Sequence, residues 1–130
     1  MSWVYPEFFP SDCPPPSARN LPGKYYRLIR RIERCKTKDF LPEYSDSQLN
    51  CPQCAISIFS NKKEIINLVL QHPRMQQKYL AELTLDGDCG VMINSSDKSS
   101  YSSHYDWWIP KGLECTSYCT SIEQIILTVK

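Results

Sequence analysis

A chain of 130 residues, 42% hydrophobic and 22% charged, has enough apolar surface for one packed domain and too much of it for a disordered chain. A formal net charge of +1 excludes a general nucleic-acid binder, whose affinity rests on phosphate neutralisation, and no apolar run is long enough for a membrane-spanning helix. Seven cysteines, an odd number, together with an N-terminus lacking a basic and apolar leader pattern, point to a cytoplasmic chain. Its cysteines are then expected as thiols or metal ligands rather than disulfides.

Residues 1–23 carry Pro6, Pro10, Pro14, Pro15, Pro16 and Pro22, and proline suits neither a helix interior nor a central strand. Trp3, Tyr5, Phe8 and Phe9 are too apolar for a free tail, so this segment is expected as a strap packed across a domain spanning 24–130. Residues 24–32 read as a strand with Tyr26, Leu28 and Ile32 on one face and Tyr25, Arg27 and Ile29 on the other. Arg27 between two apolar neighbours on one face is an anomaly. Thr37 caps a short helical turn over 38–41, stopped by Pro42, and 45–50 is loop.

The alternation in Ala55-Ile56-Ser57-Ile58-Phe59 gives a second strand. Ser60 then caps the clearest helix, whose Ile65, Ile66, Leu68 and Val69 form an apolar stripe ending before Pro73. Glu64 stands one place late for a capping box, and His72 suits the helix C-terminus. Further strands are expected at 78–83, 90–93, 104–109 and 122–129, with Asp86-Gly87 as the tight turn between the first two. The sum is one α+β domain, a largely antiparallel twisted sheet of six strands with one main helix.

Three constellations could carry chemistry. Cys51-x-x-Cys54 has the spacing of half a zinc site, with Cys115 and Cys119, Cys89 or His104 as the other half; the same thiols also serve as small buried hydrophobes or as a redox pair. The stretch Ser103-His104-Tyr105-Asp106-Trp107-Trp108 gathers a histidine, a carboxylate and two adjacent tryptophans, which a strand sends to opposite faces. One tryptophan is therefore core, and the other needs a ligand, a partner or a second layer. His104 suits a general base with Asp106 beside it, and Cys54 or Cys89 is a candidate nucleophile for it. Finally, the basic strip from Lys24 to Lys38 suits a small anionic ligand or a solvated edge. Glycine-rich phosphate loops are absent.

The order Asp12-Cys13-Pro14-Pro15, Tyr26-Arg27-Leu28, Asp39-Phe40, Cys51-x-x-Cys54-Ala55-Ile56-Ser57-Ile58-Phe59 and Ser103-His104-Tyr105-x-Trp107-Trp108-x-Pro110 spans nearly the whole chain. It resembles a family of small bacterial proteins without an assigned activity. The resemblance implies a bacterial, cytoplasmic protein carried near mobile or defence-related genes. More loosely, a first strand with Tyr-Arg, a later Ser-x-Phe strand, a helix and a final set of strands is similar to small ADP-ribosyltransferase-like domains, including the RES-type toxins. That likeness implies Arg27 as the phosphate ligand of NAD, Ser57 as a nicotinamide-pocket residue, and Tyr26 and Trp107 as stacking walls. The late carboxylate such enzymes use is then sought at Asp106, Glu114 or Glu123.

Two functions are therefore expected. One is a toxin-like effector binding NAD or another anionic nucleotide in a pocket of Arg27, Ser57, His104 and Trp107. The other is a non-enzymatic module, stabilised by zinc through Cys51 and Cys54, that docks a protein partner through the strap and the Trp107/Trp108 edge.

Overall fold

The computed structural model describes residues 3–7, 9–30, 40, 50–72, 78–96 and 101–124. Within them, the alternating segments become six strands: β1 (Gly23–Ile29), β2 (Ile56–Phe59), β3 (Tyr79–Leu85), β4 (Val91–Asn94), β5 (His104–Trp108) and β6 (Cys119–Gln124). They form one antiparallel sheet in the order β4-β5-β2-β1-β3-β6, joined by one α-helix, α1 (Lys62–Gln71). The fold is the α+β domain expected. No helix among the described residues is long and apolar enough to cross a membrane.

The side-chain period of two assigns every strand residue to one of two faces. Tyr25 opposes Leu83, Ile56 opposes Trp107 and Met92 opposes Trp107, so these share the first face. Phe40, Cys89, Cys115 and Tyr118 join them there in the larger core. On the second face Phe59 and Leu80 pack with Ile65 of α1, and Tyr26, Leu28, Leu68 and Tyr101 close around them. In α1, Ile65 and Val69 are the buried positions, one turn apart as an amphipathic stripe requires.

The helix starts one residue later than expected. Asn61 is its cap, with Oδ1 accepting from the Lys63 N–H at 2.8 Å. Ser60 donates its N–H to the Ser103 carbonyl at 3.0 Å, which keeps it in register with the strand side of the boundary. His72 closes the helix, its N–H donating to the Val69 carbonyl. The turn expected at 37–41 lies outside the described residues except for Phe40, which is buried.

Asp86-Gly87 is not a hairpin turn. β3 and β4 are not neighbours; four strand spacings of about 4.8 Å would separate them on a flat sheet. The link between them is only 86–90, and part of it is folded back by a bond from the Cys89 N–H to the Asp86 carbonyl. A link this short requires the sheet to curl, with the larger core inside the curl and α1 outside. The contact of Tyr25 on β1 with Tyr105 on β5, at 5.5 Å between ring centroids, fits that curvature. β6 also starts earlier than expected, at Cys119, after a 3-10 turn over Cys115–Tyr118; 125–130 lie outside the described residues.

The proline-rich segment lies on the sheet. Arg19 and Met92 exchange backbone hydrogen bonds at 2.9 and 2.8 Å, covering the outer edge of β4, and Lys111 donates its N–H to the Val4 carbonyl at 2.7 Å. Asn20 adds a side-chain bond to the Gly90 carbonyl at 2.6 Å. A disulfide joins Cys13 to Cys51, with Cα atoms 5.3 Å apart. This corrects the expectation of thiols or metal ligands rather than disulfides: Cys13 and Cys51 are oxidised, whereas among the described residues Cys54, Cys89, Cys115 and Cys119 are free.

Candidate functional site

Three of the sequence-selected residues meet on the outer face of the sheet. Ser57 and Asp106 are register partners between β2 and β5, and Phe59 is paired with His104 one step along. The imidazole of His104 stands edge-on to the Phe59 ring, 5.1 Å between centroids, and is held at both nitrogens. Nε2 lies 3.0 Å from Ser57 Oγ, and Nδ1 lies 2.5 Å from Ser95 Oγ.

The network assigns the tautomer. Ser95 Oγ has a single hydrogen, and its contact with the His104 carbonyl at 3.2 Å requires that hydrogen. Ser95 can then only accept from Nδ1–H. Nε2 is left with its lone pair, and the Ser57 hydroxyl donates to it. For a neutral ring, any other arrangement leaves one of the three contacts without a proton. Burial holds the imidazole below the ordinary histidine range, against the opposing pull of the Asp106 carboxylate, so His104 is neutral at pH 7.

The loop that delivers His104 is tied to α1. Glu64 accepts from Ser102 Oγ at 2.9 Å, from the Ser103 N–H at 2.7 Å and from Ser103 Oγ at 2.5 Å. These bonds to the charged form hold the Glu64 carboxyl below the usual carboxylate range. Glu64 and Ser95 are the two positioning residues that sequence reasoning missed. Glu64 looked like a misplaced capping residue, and Ser95 was one serine among many in a polar loop.

Arg27 does not share this face. It lies with Tyr25 and Ile29, opposite Ala81, on the side of the larger core. Its guanidinium turns to the backbone carbonyl of Ser57 at 2.7 Å. That resolves its anomalous position: β1 and β2 share the single register pair Tyr26 with Phe59, and beyond it Arg27 takes the place of a ladder partner. So Ser57 is approached from two sides, by Arg27 at its carbonyl and by His104 at its hydroxyl, with the sheet between the two side chains.

Trp107 is a correction. It was expected to stack on a ligand, but it is fully buried in the larger core, edge-on to Phe40, with Nε1 donating to the Cys89 carbonyl at 2.8 Å. Trp108 takes the opposite face and finds its second layer in the 51 segment, donating from Nε1 to the Cys51 carbonyl at 2.9 Å. Tyr26 is half-buried against Phe59 and Leu80 beneath α1.

The groups implied by the sequence do not fit these residues. An NAD pocket needs Arg27, Ser57, His104 and Trp107 around one cleft, and here the sheet divides them. A zinc site at Cys51 and Cys54 needs two thiolates, and Cys51 is bonded to Cys13. Among the described residues no group of three or more histidine, cysteine or acidic side chains is gathered to hold a metal. Comparison with protein-family models, curated proteins and solved structures finds no match.

Proposed function

We propose that the chain is a non-enzymatic interaction domain that binds a partner protein through the outer face at Ser57, His104 and Asp106. The observation that carries this is the polarity of the site. Ser57 is exposed, and its only hydrogen is committed to His104, so it offers lone pairs alone. Asp106, its register partner, likewise accepts and does not donate when ionised. Such a site selects donors, such as a lysine, an arginine or a backbone N–H of a partner segment. The phosphates of NAD are acceptors, and neither Ser57 nor ionised Asp106 offers them a donor.

A photo-crosslinking residue at position 57, compared with one at exposed Ser121 on β6, tests the proposal in cells of the source. A discrete protein adduct is expected from position 57, lost with Asp106→Asn and absent from position 121. One-dimensional NMR of NAD mixed with the protein provides the contrary arm. Selective broadening or nicotinamide release that depends on Arg27 would overturn the reading in favour of the ADP-ribosyltransferase-like one.

A second reading has a specific observation behind it. A hydroxyl donating to the bare nitrogen of a neutral, oriented imidazole is the arrangement of an activated nucleophile. On that reading His104 is the base and Ser57 the acyl acceptor. A fluorophosphonate reagent then labels wild-type Ser57, and His104→Gln abolishes the labelling; no labelling at Ser57 leaves the binding function.

A further inference from the structure

The CxxC motif is not used by the site above, and it forms a turn of its own ahead of β2. Cys51 is the cap of a 3-10 turn over Pro52–Cys54, and the Cys54 N–H donates to the Cys51 carbonyl at 3.1 Å. Such a turn brings the first and fourth Cα atoms within about 7 Å of each other. Disulfides bridge Cα separations of about 4.4–6.8 Å, so a turn of this kind brings its first and fourth residues close to the span of a disulfide. Burial divides the roles: Cys51 and Cys13 are half-buried, whereas Cys54 is sealed from solvent at 2% exposure.

We propose that Cys13, Cys51 and Cys54 form an intramolecular thiol–disulfide exchange site, in which Cys54 displaces Cys13 from Cys51 and unclips the proline-rich strap. Cys51 is the shared sulfur, Cys13 the strap's sulfur and Cys54 the resolving thiol. In the exchange, Cys54 gives its proton to water and its thiolate forms a bond to Cys51 Sγ. The Cys13–Cys51 bond breaks, and Cys13 leaves as a thiolate that takes up a proton. One disulfide and one thiol are present before and after, so neither oxidant nor reductant is consumed.

The surroundings of Cys54 slow the exchange. Burial pushes the Cys54 thiol up, which leaves little thiolate at neutral pH to attack. The Cys51 carbonyl is meanwhile held by both the Cys54 N–H and the Trp108 indole, which fixes the turn under the strap. Exchange therefore frees Cys13 while leaving the turn anchored to β5. The strap keeps its backbone bonds at Val4 and Arg19, so unclipping acts on the stretch between them.

The test loads glutathione onto Cys51 by treating Cys13→Ser protein with oxidised glutathione, then follows its loss by acid quench, alkylation and peptide mass analysis. Cys13→Ser is expected to release glutathione and yield a peptide in which Cys51 and Cys54 are bonded to each other. The Cys13→Ser/Cys54→Ser double variant is expected to retain the adduct. Release should accelerate about tenfold per pH unit while the Cys54 thiol remains mostly protonated. Equal retention in both variants would overturn the proposal. Should Cys13→Ser fail to fold by circular dichroism, wild-type protein reduced and reoxidised in glutathione buffer decides. A fraction carrying the Cys51–Cys54 bond with Cys13 alkylated supports the exchange, and Cys13–Cys51 as the sole pairing overturns it.

Discussion

The indole of Trp108 donates from Nε1 to the carbonyl of Cys51 at 2.9 Å, so the strand that presents His104 is tied by its far end to the turn that holds the strap's disulfide. Two layers meet at this one bond. On one side β5 carries His104 and Asp106 outward; on the other, the 51 segment covers an aromatic residue that would otherwise be exposed on the same face. The candidate site and the disulfide clip therefore share a strand, although they use different chemistry.

Replacing Trp108 with Phe tests that tie. Phenylalanine keeps much of the apolar packing and removes the donor, leaving the Cys51 carbonyl with the Cys54 N–H as its donor among the described residues. A loss of about 1–2 kcal/mol in urea-unfolding stability is expected, the usual range for a buried hydrogen bond with some lost packing. A stability equal to wild type would show that the bond contributes nothing to holding the two layers.

Acid sensitivity should begin at His104. Its folded-state pKa is lowered by burial from an ordinary value of 6.5, so as pH falls the unfolded chain takes up a proton before the folded one does. The native state is thus at its full stability above about pH 6.5 and loses stability as pH falls below it, down to the lowered folded value. Denaturation midpoints measured from pH 8 to 5 should decline through this window. His104→Gln should flatten the decline, and a His104→Gln profile as steep as wild type would assign the effect elsewhere.

Much of this architecture is legible in the chain, for local reasons. The alternation of Ile56 and Ile58 with Ser57 fixed both the strand and the outward direction of the serine, and the adjacent tryptophans announced two covered faces. What the sequence could not carry is long-range. Nothing in 86–90 distinguishes a hairpin from a link across a curled sheet, because Asp-Gly suits both. Cys13 and Cys51 are 38 residues apart, and their pairing depends on the strap lying over the 51 turn. The polarity of His104 likewise depends on Ser95, nine residues earlier, whose hydroxyl sits in no recognisable motif. Arg27 stands out locally for its face, but its bond to the Ser57 carbonyl depends on how β1 meets β2, which lies 30 residues along the chain.

Glu64 should govern the order of the loop before β5. It is the shared acceptor for Ser102 and Ser103, and its lowered pKa means that its contribution is present above the ordinary value of 4.5 and is lost as pH falls through the folded value. In Glu64→Ala the Ser103 amide loses its carboxylate partner, so its hydrogen exchange should accelerate while amides in β3 keep their protection. Unchanged exchange at Ser103 would mean that the loop is held by the Ser60 to Ser103 and His104 to Tyr101 backbone bonds instead.

Two glycines separate the effect of backbone conformation from that of space. Gly90 and Gly112 both have positive φ, 93° and 81°, which L-residues adopt at a cost of roughly 1–2 kcal/mol. At Gly112 an added Cβ meets nothing within 4 Å, so Gly112→Ala should cost only that. At Gly90 the same atom would stand 2.6 Å from Pro110 Cδ and 2.8 Å from the Trp108 carbonyl. The ring and the backbone there are hemmed in by β5 and cannot yield cheaply, so overpacking adds roughly 1–3 kcal/mol to the conformational term. Gly90 also bears the carbonyl that anchors Asn20, and displacement at this point should loosen the strap where it crosses β4. Urea unfolding of the two variants should therefore rank Gly90→Ala well below Gly112→Ala, with faster proteolysis of the strap in Gly90→Ala alone. Equal losses in the two would show that the close approach of Gly90 to β5 places no constraint on the fold.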